Sequence, residues 1–145
     1  MRTLLILAAS LLLSACSMLG MGEPAKQLEI IESGIFKNGA LLRSTNAVPV
    51  EMGTTFGYRF RIADPKAQAM KAKIVTMTPG LLDPSKPKAQ LEYVTEAALQ
   101  PGQSYDVFFT FSQPWEMAPG HWELRVETEK GETLTQTFEV YKPAM

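Results

Sequence analysis

The chain has 145 residues, 46% hydrophobic and 20% charged, with a formal net charge of −1. That near-neutral balance argues against a nucleic-acid binder, which carries a clear basic excess, and the length suits one domain with a buried core. A single cysteine rules out a disulfide-stapled scaffold, so stability must come from packing.

The opening residues read as an address rather than a fold element. Arg2 precedes an apolar run from Leu4 to Leu13, broken only by Ser10, and Leu13-Ser14-Ala15-Cys16 follows directly. About ten apolar residues fall short of the roughly twenty that a membrane-spanning helix needs. A charged head, a short apolar middle and small residues at the end mark residues 1–15 as a secretory signal. Leu-Ser-Ala-Cys resembles the lipobox of bacterial lipoproteins. The resemblance implies cleavage before Cys16, lipid attachment to its sulfur and acylation of the new amino terminus; the alternative is an ordinary signal peptide that leaves a free thiol. Two or more acyl chains make membrane attachment stable where one is marginal. Ser17 rather than Asp follows the cysteine, which by the sorting rule of such lipoproteins implies the outer membrane, with the domain facing the periplasm. Without Arg2, 13 basic residues face 15 acidic ones, a formal charge of −2.

Residues 16–27 carry Gly, Pro and small residues without periodicity and read as a tether. Ten flexible residues reach about 18 Å, which would keep the domain close to its membrane.

From Leu28 the pattern is of strands. Leu28 to Phe36 is a β-rich run ending at the turn dipeptide Asn38-Gly39. Phe56, Tyr58, Phe60 and Ile62 alternate with Thr55, Gly57, Arg59 and Arg61, as a half-buried strand requires. Lys71 to Thr78 is a further strand, expected to stop at Pro79-Gly80 and its Pro/Lys-rich loop. Gln90 to Thr95 is a weaker one, and Glu92 to Leu99 would also accommodate a helical turn. Tyr105, Val107, Phe109 and Phe111 alternate with polar residues and Phe108. Trp122, Leu124 and Val126 alternate in the same way, and Lys130-Gly131 joins them to Leu134, Gln136, Phe138 and Val140 in a hairpin. About seven short strands in residues 28–145 point to an all-β domain, an antiparallel immunoglobulin-like sandwich, with a small closed barrel as the alternative.

Three segments carry a resemblance across nearly the whole domain. They are Ile31-Glu-Ser-Gly-Ile-Phe36, Val48-Pro-Val-Glu-Met-Gly-Thr-Thr-Phe-Gly-Tyr-Arg-Phe60, and Gln113-Pro-Trp-Glu-Met-Ala-Pro-Gly-His-Trp122, with Phe138-Glu-Val140 closing the set. Together they are similar to a family of short bacterial envelope proteins known only as a domain of unknown function. The resemblance implies an immunoglobulin-like β-sandwich in the cell envelope and supplies neither an activity nor functional residues.

The chemistry-bearing residues are few. His121, the only histidine, stands on the strand face opposite Trp122, with no spacing that suggests a catalytic or metal-ligating partner. Met117 and His121 lie four apart, and thioethers suit Cu(I), so copper handling is the runner-up to a binding role. The methionines lack regular spacing, however, and gap-filling in the core is the ordinary use of Met. Carboxylates are spread singly, which leaves a hydrolase only if they converge in the fold. Trp122 is read as core, whereas Trp115 serves as either a lid on the core or an exposed anchor. Arg59 and Arg61 share one strand face. If the strand from Lys71 paired with theirs, Lys71 and Lys73 would complete a four-cation stripe facing anionic lipid or polymer; a solvated sheet face is the alternative. The reading is therefore a non-enzymatic lipoprotein without cofactor or metal, held to the membrane through Cys16. Its sandwich binds an envelope protein, polysaccharide or lipid.

Overall fold

The computed structural model describes residues 27–144, so the signal segment, Cys16 and the tether up to Lys26 lie outside the described residues. Nine strands run along the described residues: β1 (Leu28–Lys37), β2 (Ala40–Arg43), β3 (Ala47–Pro49), β4 (Thr55–Ile62), β5 (Met70–Leu81), β6 (Gln90–Leu99), β7 (Ser104–Thr110), β8 (Gly120–Thr128) and β9 (Thr133–Tyr141). A 3₁₀ turn, Pro114–Glu116, precedes β8. The strands form two sheets, ordered β2-β1-β4-β7 and β3-β9-β8-β5-β6, facing each other across one core. All neighbours are antiparallel except β3 and β9, which run parallel. This is a sandwich and not a closed barrel, because each sheet ends in unpaired edge strands.

The alternation read along β4, β7, β8 and β9 is what fills the core. Phe56, Tyr58 and Phe60 of β4 are fully buried and meet Trp122, Leu124, Val126 and Phe138 of the opposite sheet. Phe56 sits at the centre, 5.5 Å edge-on to Trp122, 5.3 Å from Phe138 and 5.4 Å from Phe111 between ring centroids. Such edge-to-face contacts add to the burial of large apolar rings. The Trp122 indole N–H donates to the Ala118 carbonyl at 3.0 Å, so its one polar atom is satisfied. The buried Tyr58 hydroxyl donates to the Leu124 carbonyl at 3.0 Å, tying the two sheets together.

Strand β1 keeps a strand's pairing but not a strand's period. Its register against β4 shifts between Ile30 and Glu32, so Leu28 and Ile30 point inward before the shift and Ser33 and Ile35 after it. One extra residue in a strand does this by definition. At the other end, Asn38 (φ 53°) and Gly39 (φ 80°) make the left-handed two-residue turn read from the sequence and lead into β2. Gly57, directly opposite Gly34 in β1, has no room for a side chain: a Cβ there would run into the Val107 carbonyl oxygen.

Two local expectations are corrected, and two further strands appear. Strands β2 and β3 are too short, at four and three residues, to leave a period-2 trace. Strand β5 does not stop at Pro79-Gly80 but runs through it as a bulge between Met77 and Leu81. Pro79 has no N–H to give, and the Thr78 hydroxyl donates to the Gln90 carbonyl at 2.6 Å and accepts from Gly80 N at 3.1 Å, holding the kink. Residues Glu92 to Leu99 form no helical turn; they pair one by one with β5 from Met77↔Glu92 to Met70↔Leu99. A continuous ladder of partners overrides the helix propensity of Ala97 and Ala98.

Two outcomes follow. Trp122→Ala should lower unfolding free energy by about 3–5 kcal/mol, measured by urea denaturation, because the sheets cannot collapse into the vacated space. Burial holds the Tyr58 phenol well above its ordinary pKa of 10.0. The unfolded chain then releases a proton that the native protein retains, so stability is intact below pH ~10 and lost as pH rises beyond it, by about 1.4 kcal/mol per pH unit. Denaturation of wild type and Tyr58→Phe across this range should show the slope shrinking by that amount in the variant, at a cost of about 1 kcal/mol at neutral pH.

Candidate functional site

Strand direction gives the sandwich two distinct ends. Leu28, Ile62, Met70, Leu99, Ser104, Thr128 and Thr133 lie at the end where the described chain begins. The turn at residues 38–39 and the loops at 50–54, 82–89 and 111–119 lie at the other. At the first end, the Glu132 carboxylate accepts from Gln27 N at 2.8 Å and Leu28 N at 2.9 Å. The hairpin turn between β8 and β9 therefore grips the chain as it enters β1. Nothing in the spacing of the sequence signals this, since the partners are more than one hundred residues apart.

The four expected cations do not form one stripe. Arg59 and Arg61 lie on the outer face of the four-stranded sheet, whereas Lys71 and Lys73 lie on β5 in the five-stranded sheet on the other side. The expectation failed because β4 pairs with β1 and β7 and never with β5.

Nor are the arginines free charges. The Arg59 guanidinium donates to Asp106 at 2.7 Å, to Glu32 at 3.0 Å and to the Gly39 carbonyl at 2.7 Å. It also lies 5.6 Å above the Phe36 ring, which stacks against Phe108 at 4.4 Å between centroids. The hydrogen bond to Asp106, followed by the charges of Asp106 and Glu32, pushes the Arg59 pKa up. Arg61 pairs with Glu29. A shallow groove of about 620 Å³ borders both arginines, with Ile31, Pro65 and Gln103 on its rim.

A second shallow groove, of about 680 Å³, runs over the outer face of β5, β6 and β8. Lys71 and Lys73 line it, but among carboxylates: Lys73 stands in register between Glu96 and Glu127, and Lys71 N donates to Glu129 at 3.1 Å. Arg125 beside them is shared by Glu123 at 3.4 Å and Glu127 at 3.6 Å.

Trp115 sits in the 3₁₀ turn, partly buried and packed against the core, so it is a lid and not a free anchor. Glu116 closes that turn by accepting from Ser112 N, Gln113 N and the Ser112 hydroxyl. Met117 packs against the same core, whereas His121 is exposed, with Nδ1 2.5 Å from a Glu139 carboxylate oxygen. Among the described residues there is no group of three or more His, Cys, Asp or Glu able to hold a metal ion, and no helix long and apolar enough to cross a membrane.

The end opposite Glu132 was not legible as a site. Met52, Leu82, Leu91 and Tyr141 are exposed there, with Leu82 72% accessible. Tyr93 packs against the core, 6.3 Å from the Phe109 ring, and burial first, then the charges of Glu116 and Asp83, raise its pKa. Asp83 accepts from both Ser85 N and the Ser85 hydroxyl, and these bonds hold its pKa down and the loop in shape.

Two facing sheets in this order make an immunoglobulin-like sandwich. Residues 22–140 match the family described as "Domain of unknown function (DUF3859)", and the chain belongs to that family. Among solved structures it is similar to an immunoglobulin-like protein from Pseudomonas aeruginosa, 24% identical with a TM-score of 0.68, over 83% of this chain and 100% of that one. At that identity the likeness shows the fold alone. It is more distantly similar to the PmoD soluble domain from Methylocystis sp. ATCC 49242 (Rockwell), 18% identical with a TM-score of 0.42, over 79% of this chain and 90% of that one. A β-glucosidase from Listeria innocua is 13% identical with a TM-score of 0.39, over 87% of this chain and 18% of that one. At such scores neither likeness bears on function. No curated protein matches the chain.

The Glu132 grip is directly testable. Glu132→Ala should cost about 1–3 kcal/mol, because two backbone donors lose a charged acceptor. Amide exchange at Leu28 should accelerate far more than at Trp122, and Glu132→Gln, which keeps one acceptor oxygen, should fall between.

Proposed function

We propose that this protein is a non-enzymatic lipoprotein of the bacterial envelope. It is anchored in the outer membrane by acyl chains on Cys16, and its sandwich faces the periplasm, where it binds another envelope component. The observation that carries the reading is the polarity of the sandwich. The chain enters at the end clamped by Glu132, and the exposed apolar residues Met52, Leu82, Leu91 and Tyr141 gather at the opposite end. A tethered module presents to a partner the end that faces away from its anchor, and an exposed apolar patch is the usual mark of such contacts. The preference for binding over catalysis rests on the grooves. Both are shallow, and Arg59, Arg61 and Arg125 on the outer faces are already paired with carboxylates.

Replacing Cys16 by Ser should abolish incorporation of labelled palmitate and leave the protein unprocessed. A variant that still fractionates as a processed, detergent-requiring species rules out the anchor. In cells, a photo-cross-linking residue at Leu82 should capture an envelope component, whereas one at Lys66, near the Glu132 end, should not. Equal or absent capture at both positions overturns the binding role.

A further inference from the structure

The five-stranded sheet ends in an unusually open edge. Strand β6, ten residues long, pairs with β5 alone, and about half of its N–H and C=O groups point away from the sheet. Proteins ordinarily blunt such edges with short strands, Pro, Lys or bulges. Strands β2 and β3 follow that rule, with four residues and with three including Pro49, whereas β7 is also open but shorter, at seven residues. Strand β6 has no Pro, Lys or Arg, and its bulge lies on the β5 side near Leu81, leaving an uninterrupted ladder from Leu99 to Glu92.

The side chains along this edge are selective. Glu92, Val94 and Glu96 stand on the outer face, with Val94 49% accessible, and neither carboxylate makes an ion pair among the described residues. A second copy of β6 added antiparallel about Val94 would set Glu92 against Glu96 twice, and directly opposed like charges are destabilising. A strand with basic, apolar and basic residues at alternate positions would instead oppose each carboxylate with a cation and cover Val94 with an apolar side chain.

We propose that β6 is a strand-addition site for an extended segment of a partner protein bearing basic residues at alternate positions, the main-chain bonds supplying affinity and Glu92 and Glu96 the selection. The inference deepens the proposed binding role and rests on it for the partner's place in the envelope.

The test uses the acylated full-length protein in detergent and a fluorescent heptapeptide, Thr-Lys-Thr-Val-Thr-Lys-Thr, followed by anisotropy. It should bind, and its counterpart with Glu in place of Lys should not. Glu92→Lys/Glu96→Lys, at two exposed positions, should weaken the Lys peptide at least about tenfold and gain the Glu peptide. Strand addition also uses only one edge of the peptide. N-methylation of the Lys and Val nitrogens, or of the intervening Thr nitrogens, should abolish binding in one series and spare it in the other. No binding of the Lys peptide, equal binding to the charge-reversed protein, or equal binding of both methylated series overturns the proposal. So does a dimer in sedimentation that is lost in Thr95→Pro, which would give the edge to a second copy. Each of these failures leaves cross-linking at Leu82 unaffected, so strand addition and the broader binding role stand or fall separately.

Discussion

The Phe56 ring lies at the one place where both sheets and four aromatic neighbours meet, and the rest of the packing is arranged around it. Phe109, Phe111, Trp122 and Phe138 all approach it within 6.0 Å between centroids. Edge-on and tilted geometries let five rings share a small volume without a void, and interiors are close-packed enough that a missing ring cannot be refilled. The next residues on β4 follow from this. Gly57 must be glycine because the β7 backbone at Val107 and Phe108 occupies the space of a Cβ, and Tyr58 must find an acceptor across the core because its hydroxyl is buried. Three consecutive residues thus fix inter-strand spacing, inter-sheet distance and the contact with β8.

A frame fixed so firmly at its centre leaves specificity to its edges and ends. On the four-stranded sheet, the outer-face charges are spent internally: Arg59 draws Glu32, Asp106 and the Gly39 carbonyl over the Phe36–Phe108 pair. Exposed ion pairs contribute little singly, but a guanidinium with three acceptors and a ring beneath it orders a surface. The five-stranded sheet differs, since its β6 edge is the longer of the open ones and its Glu92 and Glu96 carboxylates make no ion pair among the described residues.

The two ends differ just as much. Glu132 reaches from the β8–β9 turn to the backbone at Gln27 and Leu28, fixing where the chain enters the domain. The opposite end carries the exposed side chains of Met52, Leu82, Leu91 and Tyr141 and two loops stiffened by their own carboxylates, Asp83 and Glu116. A pre-shaped, partly apolar end loses little internal freedom on binding, which lowers one of the costs of association.

By itself the sequence determined the all-β class, the facing of β4, β7, β8 and β9, and the burial of Trp122. Each of these is written in local order, as a period of two that sends alternate side chains to one face. Only the tertiary structure decided which strands are neighbours. The sequence could place Arg59 beside Arg61 and Lys71 beside Lys73, but joining the two pairs required β4 to pair with β5, and the chain crosses to the other sheet instead. The lid role of Trp115, the separation of Met117 from His121, the bulge at Pro79-Gly80 and the Glu132 grip belong to the same class. So does the open β6 edge, because a strand's free side is defined by the neighbour it lacks. Periodicity records which way a side chain points, but what it points at is set by pairings between residues distant in sequence, and those leave no mark in local order.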